Sequence, residues 1–94
     1  MRTIEKKMVA AVAACRDWSE NNTSVWENSG KMWVSLFGNL IACKDLKTGV
    51  FSYSCAGWHT VTTGSRLRAL GCDCRMVRGR LVDGAGVEIP SRLA

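Results

Sequence analysis

The sequence contains none of the short motifs that mark the common enzyme classes. It has no G-x-x-x-x-G-K phosphate loop, no dinucleotide-binding fingerprint, no nucleophile elbow and no metalloprotease helix. Its eight acidic residues are scattered, which gives no indication of paired-carboxylate chemistry. No apolar run is long enough to cross a bilayer, so the sequence predicts neither a transmembrane helix nor a membrane partner. We therefore predict a protein that is not an enzyme.

The sequence also lacks a cysteine framework and has a single histidine. Its five cysteines are an odd number at irregular spacings, which argues against a disulfide-stabilised secreted scaffold and favours a reducing cytoplasm. Cys72 and Cys74 form a C-x-C pair rather than the C-x-x-C of structural zinc sites. We expect buried thiols, no metal site and no cofactor. We expect His59 to be a hydrogen-bonded structural residue rather than the base of a Cys/His catalytic pair.

Length and composition indicate one globular domain over residues 1–94. The apolar fraction is 47% and the charged fraction 22%, which is far from the composition of a disordered chain. A net charge of +5 favours an anionic partner, such as nucleic acid or an acidic host protein. We expect the domain to fold alone or as a small homo-oligomer.

The positive charges change in kind along the chain. Lysine does not occur after Lys47, whereas residues 66–80 contain five arginines and one acidic residue, Asp73. The guanidinium group is a planar fork of donors that suits phosphate and carboxylate. This cluster therefore indicates a binding surface, with a solvated charged face as the alternative.

The first segment, residues 3–17, has the pattern of an amphipathic helix. Spacings of four, four and three residues place one set of apolar side chains on the same face: Ile4, Met8, Val12 and Cys15. Glu5 lies outside this stripe, so we expect it on the solvent side. Trp18 is expected to close the helix against the core, and residues 19–22 are expected to form a polar loop.

The same segment is similar to a lipoprotein signal, with a basic start, an apolar stretch over residues 8–14 and a Val12-Ala13-Ala14-Cys15 box. The apolar stretch is at the short limit for such a signal, and the basic start contains Glu5. We therefore expect this segment to be a helix of the domain rather than an export signal.

Residues 23–27 and 31–37 are predicted to form a hairpin. Both are rich in β-branched and aromatic residues, and Asn28-Ser29-Gly30 between them is a turn sequence. The second strand carries apolar residues on both faces, which is typical of a central strand. Gly38-Asn39 then predicts a bend or bulge, after which residues 40–43 continue the strand.

A further strand is predicted over residues 50–55, after a turn at residues 44–49. Its alternation places Phe51, Tyr53 and Cys55 on one side. We expect Phe51 and Tyr53 to lie beneath the first helix.

A second, shorter helix follows this strand. Thr62 or Thr63 is its predicted N-cap, because a threonine hydroxyl accepts from amides of the first turn. Leu67 and Leu70 point inward, and the helix ends at Gly71. Residues 72–90 are expected to form a smaller hairpin, with a kink at Gly79 and a turn at residues 83–86. The predicted order is α-β-β-β-α-β-β, an α+β domain with two helices on one face of an antiparallel sheet of about five strands.

The second helix and the following strand hold the predicted binding site for nucleic acid or another acidic partner. Hydroxyl and amide groups at a helix N-terminus donate to phosphate, and Arg66 and Arg68 are expected to point outward one turn later. The predicted binding residues are Thr62, Thr63, Ser65, Arg66, Arg68, Arg75, Arg78 and Arg80. Any exposed tryptophan on the sheet would add a stacking platform, although we expect Trp18 and Trp33 to be buried.

Three segments carry a resemblance: residues 38–42, with the sequence G-N-L-I-A, residues 56–58, with A-G-W, and residues 62–70, with T-T-G-S-R-L-R-A-L. Together they resemble a pattern found in small uncharacterised proteins of tailed bacteriophages. The resemblance implies a protein made in the cytoplasm of an infected bacterial cell, and it carries no catalytic residues. Gly64 and Arg68 replace the more usual polar residues of that pattern.

Two kinds of function follow from the sequence. The first is a phage accessory protein that binds nucleic acid through the arginine-rich face between residues 62 and 80. The second is a host-takeover protein that binds and inhibits a bacterial enzyme or defence complex with the same arginines. Salt dependence separates them, because phosphate contacts weaken steeply with salt whereas a specific protein interface survives moderate salt.

Overall fold

A computed structural model describes residues 2–93, and it contains two helices and seven strands. The helices are α1 (Thr3–Ala13) and α2 (Val61–Ala69). The strands are β1 (Trp18–Glu20), β2 (Thr23–Asn28), β3 (Lys31–Leu36), β4 (Asn39–Asp45), β5 (Phe51–Tyr53), β6 (Cys74–Val77) and β7 (Arg80–Asp83). The order α-β-β-β-β-β-α-β-β confirms the predicted α+β class and adds two strands.

Strands β1 to β5 form one antiparallel sheet in chain order, and β6 and β7 form a separate two-stranded sheet. Strand β3 is the central strand of the larger sheet, as its two apolar faces predict. The pairing of β3 with β4 shifts by one residue between Val34 and Ser35, where Ile41 is the extra residue of a bulge.

Three of the hairpins turn through two residues with positive φ, which is the type I′ geometry that suits the twist of paired strands. Ser29-Gly30 joins β2 to β3, which confirms the predicted hairpin. Phe37-Gly38 joins β3 to β4, so the predicted bend at Gly38-Asn39 is wrong and the chain reverses there. Arg78-Gly79 joins β6 to β7, so the predicted kink at Gly79 is also a reversal.

The core lies between the five-stranded sheet and the two helices. Helix α1 contributes Met8, Ala11 and Val12, and α2 contributes Leu67. The sheet contributes buried side chains from its three inner strands: Val25, Met32, Val34, Leu36, Ile41 and Ala42. The predicted inward direction of Leu67 and Leu70 is confirmed, because both are buried.

The N-terminal predictions need correction in three places. Helix α1 ends at Ala13, because the chain leaves the helix through Cys15 at φ 52, and the Cys15 thiol is exposed. Glu5 is buried rather than on the solvent side. Trp18 is only half-buried and begins β1, a strand that replaces part of the predicted loop.

The predicted start of the second helix lies two or three residues after the start seen in the structure. Its N-cap is Thr60, whose hydroxyl accepts from the Thr63 amide at 3.1 Å, so neither Thr62 nor Thr63 is the cap. The Tyr53 hydroxyl donates to the Leu70 carbonyl at 2.9 Å. Tyr53 therefore lies at the end of α2 rather than beneath α1 as predicted, and the Phe51 ring stacks on it with centroids 5.5 Å apart.

Candidate nucleic-acid interface

Two of the predicted binding residues, Thr63 and Arg66, lie inside the protein rather than on its surface, and Ser65 is half-buried. Arg66 is 3% exposed and Thr63 is 1% exposed, so the predicted outward direction of Arg66 is wrong. The Arg66 Nη1 donates to the Glu5 carboxylate at 2.7 Å, and the Ser65 hydroxyl donates to the same oxygen at 2.6 Å. Arg66 also donates to the Thr23 hydroxyl at 3.1 Å. This network joins α2 to α1 and β2 and engages the Ser65 and Arg66 side chains, while the Thr63 hydroxyl pairs with that of Thr60 at 2.9 Å.

Burial alone would raise the pKa of the Glu5 carboxyl. The hydrogen bonds from Ser65 and Arg66, with the positive charge of Arg66, stabilise the carboxylate more strongly and leave the pKa lowered. Glu5 is therefore ionised at neutral pH, and the pair is a charged one with its hydrogen bonds satisfied. A buried pair of this kind positions α1 against α2, and it offers no group to a ligand.

The remaining predicted arginines are exposed and lie together. We name the β6–β7 hairpin the arginine ribbon, because it carries Arg75, Arg78 and Arg80. Arg78 is at the tip of the ribbon, in its two-residue turn. Arg80 pairs with Val77, which shares a ribbon face with Arg75, so Arg75 and Arg80 are diagonal neighbours on that face. All three side chains are exposed.

Arg68 extends this basic surface from α2. It is exposed, and its Nη1 donates to the Cys74 carbonyl at 3.4 Å, at the start of β6. Thr62 is half-buried and lies elsewhere, in a cleft with Phe37 and Trp58. The structure therefore brings together four of the eight predicted residues, and separates Thr62 from them.

The charge of this surface is only partly neutralised by nearby carboxylates. Arg80 Nε lies 3.7 Å from the Glu88 carboxylate, and both side chains are largely exposed. Within residues 2–93, Arg68, Arg75 and Arg78 form no salt bridge. Three guanidinium groups are thus available to an anionic partner.

The arginine ribbon is held on the domain by Leu81 and His59. The Leu81 side chain is fully buried against α2, where a side chain on Gly64 would come within 2.9 Å of it. The Leu81 amide donates to His59 Nδ1 at 2.8 Å. Since Nδ1 is an acceptor, the neutral imidazole carries its proton on Nε2. The Nε2 lies 3.7 Å from the Cys55 sulfur and 3.8 Å from the Glu88 carboxylate.

This arrangement makes His59 a poor base for the Cys55 thiol. The imidazole nitrogen nearest the sulfur carries the proton, and the other nitrogen is occupied by the backbone. Cys55 is itself fully buried.

Replacing His59 with alanine is expected to lower the free energy of unfolding by about 1–3 kcal/mol, because the buried Leu81 amide loses its acceptor. Urea denaturation followed by circular dichroism measures the change. Trp58→Ala is the matched control, because Trp58 is 59% exposed and precedes His59 directly. Equal stability of the two variants would contradict the role assigned to His59.

Four of the five thiols are buried, as predicted, and all five cysteines are free. Burial raises the pKa of the Cys72 thiol to about 12, and the adjacent Cys74 adds to the rise. The Cys72 thiol is therefore protonated at neutral pH. Among residues 2–93, no cluster of three His, Cys, Asp or Glu side chains is arranged to hold a metal ion.

The outer face of the five-stranded sheet carries two tryptophans, and one of them, Trp33, was expected in the core. Trp26 lies opposite Trp33, Trp33 opposite Cys43, and Cys43 opposite Ser52. Both tryptophans are half-buried, so the predicted full burial of Trp33 is wrong. The sequence feature that could have indicated this partly exposed aromatic face was the presence of apolar residues on both faces of β3. The same pattern is expected for a strand that is covered on both faces.

Fold and site together define a small α+β domain with two helices on one face of an antiparallel sheet and an exposed basic hairpin. The family model described as Kyanoviridae Gp96 protein matches residues 1–83, and the chain belongs to this family. Kyanoviridae is a family of phages, so the chain is a phage accessory protein, as the resemblance implied. No curated protein and no solved structure matches the chain. No helix within residues 2–93 is long and apolar enough to cross a membrane.

Proposed function

We propose that this phage protein binds nucleic acid through the arginine ribbon and Arg68, in the cytoplasm of the host bacterium, and that it is not an enzyme. The observation that supports the proposal is the grouping of four exposed arginines on one surface, three of them without a carboxylate partner within residues 2–93. Arginine binds phosphate oxygens through paired N–H donors, and such contacts are independent of base sequence.

The rigidity of the ribbon favours this use of the arginines. Type I′ geometry at Arg78-Gly79 fixes the tip, and Leu81 and His59 fix the base. Because the backbone that carries the guanidinium groups is already ordered, binding costs mainly the side-chain entropy of the arginines.

The test is a fluorescence anisotropy titration of a labelled 20-nucleotide strand and of the matching duplex, at several salt concentrations. The double variant Arg75→Gln/Arg78→Gln is expected to bind more weakly at low salt. Its plot of log affinity against log salt should be shallower by about 1 to 1.5 on the single strand, since each phosphate contact contributes about 0.7 to the slope.

The control is the double variant Lys6→Gln/Arg16→Gln, which removes two exposed positive charges outside the ribbon. It lowers the net charge equally and is expected to keep nearly the parent slope. If neither nucleic acid binds at low salt, or if both double variants weaken binding alike, the ribbon is not the binding surface.

A second candidate function rests on the apolar residues of the same ribbon. Met76 is 37% exposed and Val77 is 38% exposed beside the arginines. A mixture of arginine and apolar side chains is typical of protein interfaces, and it suits an acidic surface on a bacterial enzyme or defence complex that the phage protein inhibits. Capture from host lysate at moderate salt, compared between the parent protein and Arg78→Ala, tests this function. An unchanged set of captured proteins would remove the ribbon from such an interface.

A further inference from the structure

The face of the five-stranded sheet opposite the helices carries a groove across β3, β4 and β5. Its volume is about 850 Å³. The pairing register places Trp33, Cys43 and Ser52 side by side along this groove. The C-terminal segment, with Ser91, Arg92 and Leu93, lines it as well. The groove is separate from the arginine ribbon, which belongs to the smaller sheet.

The Trp33 indole is held in place within this groove. Its Nε1 donates to the Asn28 carbonyl at 3.2 Å, which fixes the edge of the ring. The Lys31 ammonium lies 6.0 Å from the ring centroid, within cation–π range. A ring fixed by its edge loses little entropy when a planar group stacks on its face.

The charges around the groove favour an anionic occupant. Lys31 and Arg92 line it, and the one acidic residue among the lining side chains is Asp45. The Asp45 carboxylate already accepts from the Lys47 amide at 2.9 Å and from the Thr48 amide at 3.4 Å. Its charge is therefore partly satisfied by the turn. Lys31 lies directly opposite Asp45 in the strand pairing, but within residues 2–93 neither Lys31 nor Arg92 forms a salt bridge with it, so the lining carries a net positive charge.

From the fixed indole and this charge pattern, we infer that the groove binds single-stranded nucleic acid, with a base stacked on Trp33 and the adjoining phosphate beside Lys31 or Arg92. This inference rests on the proposed function and narrows it to a substrate class. Bases in a duplex are stacked on each other and paired, so they are not free to lie on the indole. Trp26, directly opposite Trp33 on β2, is positioned to continue the stacking surface.

The test measures the affinity of the full chain for a labelled 12-nucleotide thymidine strand and for a 20-base-pair duplex. Trp33→Ala is expected to weaken single-strand binding by about 5- to 100-fold, the range for loss of one stacked base, and to leave duplex binding nearly unchanged. Trp33→Phe should retain most of the single-strand affinity, because it keeps an aromatic face. Trp58→Ala removes an exposed tryptophan outside the groove and is the matched control.

A variant that fills the groove provides a test that does not depend on the stability of Trp33→Ala. Ser52 is a half-exposed residue of the edge strand β5, so Ser52→Leu fills part of the groove without adding an aromatic face, while Trp33 and its support remain. It is expected to weaken single-strand binding as Trp33→Ala does.

The outcomes separate this inference from the proposed function. If the ribbon variant Arg75→Gln/Arg78→Gln weakens binding while Ser52→Leu and Trp33→Ala bind the single strand like the parent, the groove is not a base site, and the proposed binding through the arginine ribbon is retained. If the parent binds neither the strand nor the duplex, both fail. Equal losses on single strand and duplex in the groove variants would also overturn the stacking role.

Discussion

Replacing Arg66 with alanine is expected to lower the free energy of unfolding by about 3–5 kcal/mol, because the substitution leaves the Glu5 carboxylate buried without its partner. Glu5 is 2% exposed, so water does not replace the lost guanidinium. The Thr23 hydroxyl loses its donor as well. A domain of this size is stable by only about 5–15 kcal/mol, so the variant is expected to unfold at a much lower urea concentration than the parent.

Two variants define the controls for this result. Arg68→Ala removes an exposed arginine from the same helix and is expected to change stability by less than about 0.5 kcal/mol. The double variant Glu5→Met/Arg66→Leu replaces the pair by apolar groups and should recover most of the loss, because neither buried charge remains. Unfolding of Arg66→Ala at the parent midpoint would show that the pair contributes nothing to stability.

The pH dependence of stability provides a further readout of the same pair. The pKa of Glu5 is lowered in the folded state from its ordinary value of 4.5. Its contribution is therefore fully present above pH 4.5 and is lost as the pH falls through the lowered folded-state pKa. Glu5→Gln does not titrate, so its stability should fall less steeply than that of the parent over this acid range.

The sequence predicted the α+β class and the first hairpin because those depend on local patterns. Alternating apolar residues and the Asn28-Ser29-Gly30 turn are contained in short segments. The other two type I′ turns were missed because the residues before their glycines are Phe37 and Arg78, whereas the first turn has Asn28-Ser29 before its glycine, two residue types that are common in turns. Glycine alone, at Gly38 and Gly79, is equally compatible with a bulge or a kink.

The site was harder to predict because burial of a charge depends on a partner far along the chain. Arg66 and Glu5 are separated by 61 residues, and no local periodicity relates them. One feature of the sequence does indicate the burial of Glu5. Glu5 is three residues before Met8 and seven before Val12, which places it on the apolar face of α1. A carboxylate on such a face predicts a buried cation elsewhere in the chain. Arg75, Arg78 and Arg80 lie together because a short hairpin keeps sequence neighbours close in space, whereas Arg68 reaches them from α2.

Replacing Leu81 with alanine is expected to lower the free energy of unfolding by about 2–5 kcal/mol, the usual cost of a cavity at a fully buried leucine. The arginine ribbon should lose the most stability against local unfolding, because a two-stranded sheet is marginally stable by itself and depends on its packing against α2. Amide hydrogen exchange is the suitable measurement. Amides of β6 and β7 should exchange faster, while those of β3 and β4 at the centre of the larger sheet remain more protected.

The same variant connects the stability of the ribbon to the proposed function. If the arginines act as an ordered group, Leu81→Ala should weaken nucleic-acid binding although no charge is removed. Val77→Ala is the control, because Val77 is 38% exposed and pairs with Arg80 in the same ribbon. It is expected to change both stability and affinity little. Faster hydrogen exchange throughout the five-stranded sheet in Leu81→Ala would instead show that the two sheets unfold as one unit. If the ribbon amides exchange faster but the affinity for nucleic acid is unchanged, binding requires only the charge of the arginines.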